Sequence, residues 1–238
     1  MASAAIEQLE RTQRRRADKV NERRAELAAA ALQTLSELGY ARTSLREIAQ
    51  NSEFSHGVLH YYFSDKVDLI TCCVRHYKAQ CVTRYDQVRT SATTYEELAA
   101  GFAAALADTL RQDATMHRLW YDLRSQALFE PAFQNDVLEI DKSLEDMIWR
   151  IMSRLAELAG ETQTLPPSLL YAMFDGLFQQ ALLKFLAGDP NAATELQAGA
   201  RQILANVFKA ATAGRAKAKP VVVIGAKRPR ERGRLARS

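Results

Sequence analysis

The sequence is poor in residues that punctuate or cross-link a chain. Its 238 residues include 6 prolines, 10 glycines and 3 cysteines. Cys72 and Cys73 are adjacent and Cys81 lies nearby, which makes no disulfide framework and fits a reducing cytoplasm. No apolar run reaches the ~18 residues that a membrane-spanning helix needs, so no membrane partner is expected. The N-terminus is charged almost from its start, which excludes an apolar signal segment. Sustained apolar–polar alternation is missing too, so strands are not expected. There is no glycine-rich phosphate loop, nucleophile elbow or metalloprotease motif, hence no enzyme chemistry and no cofactor. Cys72, Cys73, His76 and Cys81 would share one continuous helix, whereas zinc sites pair ligands across a loop, so no metal is expected either.

What is present is an apolar, unevenly charged helical chain. A hydrophobic content of 47% is enough for a sizeable core. The net charge of +4 divides into +3 over residues 1–24, −8 over 25–208 and +9 over 209–238. An acidic body with basic ends points to a polyanion partner. Residues 25–85 sum to zero, so counterion release from DNA would lean on Arg14, Arg15, Arg16, Lys19, Arg23 and Arg24. Such an arginine-rich arm can enter a minor groove. The plainer reading of the arm is a solvated helix extension.

Apolar periodicity predicts a first helix over about 22–38, closed by Gly39. A short helix follows over about 43–51, opened by the hydroxyls of Thr43 and Ser44. Ser55 can cap a second short helix reaching Tyr62, and a long helix runs from about Asp65 to Arg89. About five more follow. Thr94 with Glu97 has the form of a capping box, and another helix is expected from near Asp113 to near Phe129. Pro131 opens a segment to Leu158, and the last two helices cover about 167–187 and 190–211.

The stretch SEFSHGVLHYYFSDK at 52–66 carries hydrogen-bonding and aromatic groups that a core would not use. Two short helices around a tight turn make a helix-turn-helix, whose second helix can enter the major groove of DNA. Leu45, Ile48, Ala49, Val58 and Leu59 have the spacing to face the first helix. That leaves Ser55, His56, Gly57, His60 and Tyr61 on the other side. Serine and histidine can bond base edges, and glycine admits a close backbone approach. Tyrosine hydroxyls and Lys66 can reach phosphates.

Gly39-Tyr40-Ala41-Arg42-Thr43-Ser44-Leu45-Arg46-Glu47-Ile48-Ala49, followed by Ser55-His56-Gly57-Val58-Leu59-His60-Tyr61-Tyr62-Phe63-Ser64-Asp65-Lys66, resembles the TetR/AcrR family of transcriptional regulators over about residues 22–80. The resemblance implies an all-α fold: an N-terminal three-helix helix-turn-helix domain and a larger helical ligand-binding and dimerisation domain. It implies a homodimer joined through the last two helices, and a repressor released from a near-palindromic double-stranded operator by a small-molecule effector. Carried over by position, Thr43, Tyr61 and Lys66 match phosphate contacts, and Ser55 and His56 match base-facing positions. The chain departs from the family at Glu53, where a glycine is usual in the turn, and at His60, where a tyrosine is usual. An effector-binding helical protein, or an activator, with altered or non-specific DNA binding is therefore the alternative. The expected parts are a basic arm at 1–21, the DNA-binding domain at 22–66, the ligand and dimer domain at 67–208, and a basic, flexible tail at 209–238.

In the larger domain, aromatics at helical spacing are usually core. As a group they can also line an apolar pocket between helices, and a largely apolar effector would suit it. Trp120, Tyr121, Arg124, Phe174 and Phe178 are the expected lining. The segment Trp120-Tyr121-Asp122-Leu123 has a slight similarity to regulators tied to choline and betaine metabolism, which names no effector. Leu169, Leu170, Met173, Leu177, Ala181, Leu182 and Phe185 form one apolar set, and Leu196, Ala200, Ile203, Leu204 and Val207 another.

Overall fold

The computed structural model describes residues 2–39 and 43–217. Among them are eight α-helices: α1 (Ala2–Leu38), α2 (Leu45–Gln50), α3 (His56–Tyr62), α4 (Lys66–Ser91), α5 (Tyr95–Gln126), α6 (Pro131–Ala159), α7 (Pro167–Leu186) and α8 (Ala192–Lys217). No described helix is long and apolar enough to cross a membrane.

The helix boundaries follow local chemistry. Gly39 sits at φ 75°, where its N–H returns to the Leu35 carbonyl at 2.8 Å and closes α1. Ser44 and Glu47 make a reciprocal capping box on α2, and Thr94 and Glu97 make another on α5. Pro131 and Pro167 occupy first turns, where a missing N–H removes no helix bond. Gly160 closes α6 in the left-handed conformation.

Two helix bounds are corrected, the start of α1 and the end of α8. The first helix does not begin near Glu22; it runs from Ala2, so residues 2–21 are helical. The helix start expected near Asp113 coincides with a kink, where the continuous run α5 leaves helical geometry (φ −124°, ψ 21°) and two helical stretches meet. Arg84 of α4 spans the kink, donating to Thr109 at 3.3 Å and to Asp113 at 2.9 Å. Finally, α8 continues to Lys217, so the first residues of the expected flexible tail are helical. Residues 218–238 lie outside the described residues.

Two apolar cores organise the chain. One gathers Leu27, Ala31 and Leu35 of α1, Ile48, Leu59, Phe63, and Leu69, Ile70 and Cys73 of α4. It also takes Leu119, Trp120, Leu123, Phe133 and Leu144 from α5 and α6. The other joins Tyr85, Phe102, Leu110, Met147 and Ile151 to Leu170, Phe174 and Phe178 of α7 and to Leu196 and Leu204 of α8. Val82, Tyr121 and Tyr171 pack against both. The small helical head is therefore not a bead on a string: α4 and the C-terminal half of α5 belong to its core and to the body's.

Candidate nucleic-acid interface and effector cavity

Ser55 caps α3, its hydroxyl oxygen accepting from the Val58 N–H at 3.3 Å. Leu59 faces inward, while Ser55, His56, Gly57, His60 and Tyr61 are exposed. The rings of His56 and His60 meet edge-on at 4.3 Å, and Tyr61 is 80% exposed. Glycine inside a helix costs about 0.5–1 kcal/mol relative to alanine. Packing does not require it here, because a Cβ on Gly57 would meet only Ser55 Oγ, at 4.0 Å. The open space above this turn suits close approach by a large partner. The turn itself needs no glycine: no described non-glycine residue has positive φ, so Glu53 sits in ordinary backbone, exposed.

Four of the expected DNA contacts are placed differently. Thr43 is 3% exposed, and its hydroxyl donates to the Gly39 carbonyl at 2.6 Å, so it serves the turn rather than the surface. Arg14, Arg15 and Arg16 are exposed but lie on α1. A helix ~10 Å across does not enter a minor groove ~6 Å wide, so the minor-groove arm gives way to the helix extension. Lys66 is half-buried as the first residue of α4.

Arg24, counted in the basic arm from sequence, is a clamp instead. It donates to the Tyr62 carbonyl at 2.5 Å, pairs with Asp68 through both terminal nitrogens, and lies 4.6 Å over the Phe63 ring. One guanidinium thus ties α1 to the end of α3 and the start of α4. Burial pushes the Asp68 carboxyl up, but bonds from Arg24 and the Ser64 N–H override it and hold its pKa below the usual range. Its contribution is therefore present above the ordinary carboxylate pKa and lost as pH falls through the depressed value. For a partly exposed pair, Arg24→Met is expected to lower unfolding free energy by about 1–2 kcal/mol. In acid melts it should also flatten the loss of stability below about pH 4; an unchanged acid limb would show the clamp to be inert.

Between the two cores lies a cavity whose empty space, about 490 Å³, includes open solvent at its mouth. Lys78, Cys81 and Tyr85 come from α4, and His117, Trp120 and Tyr121 from α5. Leu144 and Met147 of α6, and Phe174, Asp175 and Phe178 of α7, complete most of the wall. Four of the five residues expected there from sequence, Trp120, Tyr121, Phe174 and Phe178, line this space together. Arg124 does not. It lines a neighbouring, more open groove and pairs with Asp175 at 2.5 Å and Asp141 at 3.2 Å. Tyr121 donates to Asp175 at 2.9 Å and Tyr171 to Asp141 at 2.5 Å, which completes a network across α5, α6 and α7. Burial, reinforced by Asp175, pushes the Tyr121 and Tyr171 hydroxyls well above their ordinary pKa.

Lys78 and His117 are absent from the lining expected from sequence. Lys78 is 3% exposed with its ammonium 3.1 Å from His117 Nδ1, and burial lowers its pKa to about 8. The available signal is positional: Lys78 sits one turn from Val74 and Cys81, a lone charge on the buried stripe of its helix. The cysteine–histidine cluster weighed as a metal site disperses. Cys73 donates to the Ala28 carbonyl at 3.2 Å, His76 bonds Gln80 at 3.1 Å, and Cys81 faces the cavity.

Residues 27–71 match the family model described as bacterial regulatory proteins, tetR family. The HTH-type transcriptional regulator BetI of Burkholderia thailandensis is 30% identical over 184 residues, covering 73% of this chain and 89% of the relative. The chain belongs to the TetR family. BetI of Burkholderia mallei is 28% identical over 71% of this chain and 84% of its own. Solved TetR-family folds agree in shape. A TetR-family regulator from Syntrophomonas wolfei superposes with TM-score 0.64 at 16% identity, over 86% of this chain and 98% of its own. FadR of Bacillus subtilis, solved in complex with stearoyl-CoA, gives 0.63 at 17% identity, over 75% of this chain and 95% of its own. For this TetR-family regulator, the matched segment 27–71 takes in α2, α3 and the residues clamped by Arg24.

Proposed function

We propose that this TetR-family chain is a cytoplasmic, homodimeric transcriptional repressor, released from a near-palindromic operator when a small, largely apolar molecule fills the cavity. The observation that carries this reading is shared walls. Trp120 and Leu144 line the cavity and belong to the core that holds α1, α3 and the start of α4. Lys78, Cys81 and Tyr85 stand on the same helix that begins at Lys66 beside the reading head. From Lys66 to Lys78 a helix rises ~18 Å, so a tilt at the cavity displaces the head without passing through a hinge. Release follows only if the ligand prefers the spacing that does not fit DNA. Two heads ~34–36 Å apart meet successive major grooves.

The dimer reading rests on α7. Leu170, Phe174, Phe178 and Leu182 face inward, yet Leu169, Leu183 and Leu186 on other sides of the helix are 45%, 72% and 43% exposed. A partner's matching pair of helices would cover them as a four-helix bundle.

Selection of bound fragments from a genomic DNA pool tests the whole reading. The wild type should recover one near-palindromic site. Tyr61→Ala should weaken that site about tenfold or more without moving the melting temperature. Leu183→Glu should sediment as a monomer and lose the site altogether. Recovery of no preferred sequence, or full binding by a monomeric Leu183→Glu, would overturn the repressor reading.

A further inference from the structure

Lys78 is a buried ammonium without a counter-ion. Among the described residues it forms no ion pair; its neighbours are His117 Nδ1 at 3.1 Å, the Trp120 ring at 5.3 Å and the Tyr77 ring at 5.7 Å. The nearby carboxylates are engaged elsewhere, Asp175 by Arg124 and Tyr121, and Asp141 by Arg124 and Tyr171. Buried charges are ordinarily paired, because desolvation is otherwise uncompensated. His117 compounds the imbalance. With Nδ1 accepting from the ammonium, the ring proton sits on Nε2, which is buried and has no partner. The cavity therefore holds a charged donor whose one acceptor is neutral, and a second donor with no acceptor, inside walls that are otherwise mainly apolar and aromatic.

We propose that the effector is an apolar molecule bearing a carboxylate, which docks on Lys78 while its body lies against Leu106, Met147, Phe174 and Phe178. This rests on the cavity's being the effector site. A carboxylate brings acceptors only, and a charge that neutralises the buried ammonium. A neutral amide would bring N–H groups that the donor-rich end cannot receive. A quaternary ammonium suits aromatic walls in general, but here Lys78 already lies over Trp120 and repels a second cation.

Titration calorimetry on the full chain decides it, with ligands of matched body: octanoate and hydrocinnamate, their amides and alcohols, and octyltrimethylammonium. The carboxylates should bind at least tenfold more tightly than the amides and alcohols, and the cation weakest. Lys78→Met should remove the carboxylate preference while leaving alcohol binding in place, which also reports that the variant is folded. Alcohols or the cation binding as tightly as the carboxylates to the wild type would overturn the proposal and leave the cavity reading intact. A carboxylate preference that survives in Lys78→Met would overturn it in the same way. Failure of every ligand class to bind would overturn both.

Discussion

Lys78→Met is expected to make the ligand-free protein more stable by about 2 kcal/mol at neutral pH, raising Tm by about 4–8 °C. Burial takes the lysine from 10.5 to about 8, which corresponds to roughly 3 kcal/mol held against the folded state wherever both states are protonated. Leaving His117 Nδ1 without its donor returns about 1 kcal/mol of that gain. Methionine keeps the volume and adapts its shape. The pH signature has a definite sign. Below pH 8 the folded and unfolded chains both carry the proton and the penalty is complete. Between about 8 and 10.5 the unfolded chain holds a proton that the folded chain has lost, so stability contributed by this site rises with pH. Cys81 on the same helix, Tyr121 on α5 and Tyr171 on α7 work the other way, since burial raises their pKa values. Arg124, Asp141 and Asp175 complete the charged surroundings, and His117 is kept neutral by burial and by Lys78 itself. The quantity to measure is therefore the difference between wild type and variant in denaturant melts across this range. A difference that does not shrink as pH rises above 8 would mean that the ammonium is solvated.

Trp120→Ala should have the larger destabilising effect, about 3–5 kcal/mol. The indole is 1% exposed and packs into the core that holds α1, α3 and α4 while lining the cavity of the body. Removing it enlarges a space that is already open on one side, so little collapse is available to reduce the loss. Trp149 then becomes the remaining tryptophan, and it packs against the body core. Melts followed by Trp149 emission and by backbone dichroism should still coincide, at lower denaturant, because Val82, Tyr121 and Tyr171 continue to bridge the two cores. A dichroism change that precedes the Trp149 change would show that the head melts on its own and that Trp120 alone joined it to the body.

Local patterns are readable from the chain in proportion to how local their causes are. Ser44 with Glu47, Thr94 with Glu97, Gly39 and Pro131 act within one turn, and the corresponding helix ends fall within a few residues of expectation. The start of α1 is not legible because residues 11–22 are exposed throughout; with no apolar stripe, periodicity offers no helix signal. The break at Asp113 is legible because that residue has the form of a helix start; the grip of Arg84, reaching across from α4, is not. Of the aromatic set, Trp120, Tyr121, Phe174 and Phe178 share one cavity, whereas Arg124 turns to the carboxylates of Asp141 on α6 and Asp175 on α7. Glu53 departs from the glycine usual in the turn and brings a negative charge to it, while the backbone at that corner asks for no left-handed residue. Lys78 is the instructive omission. A cation counted among a helix's polar residues looks ordinary until the neighbouring helices close over it.

The length of α1 has a consequence for how DNA is held. Its 37 residues extend ~55 Å, and Arg16 stands ~16 Å along the axis from Leu27, where burial begins. A flexible basic tail would find phosphates wherever they lay and would lose ~1–2 kcal/mol of backbone freedom for each residue it ordered. A preformed rod avoids that entropy loss but cannot search. Its charges stand at a fixed reach from the reading head, so they count only when the duplex curves to meet them. Under the operator-binding function proposed above, flexibility of the operator flanks, beyond any base the recognition helix touches, becomes part of what the chain would discriminate.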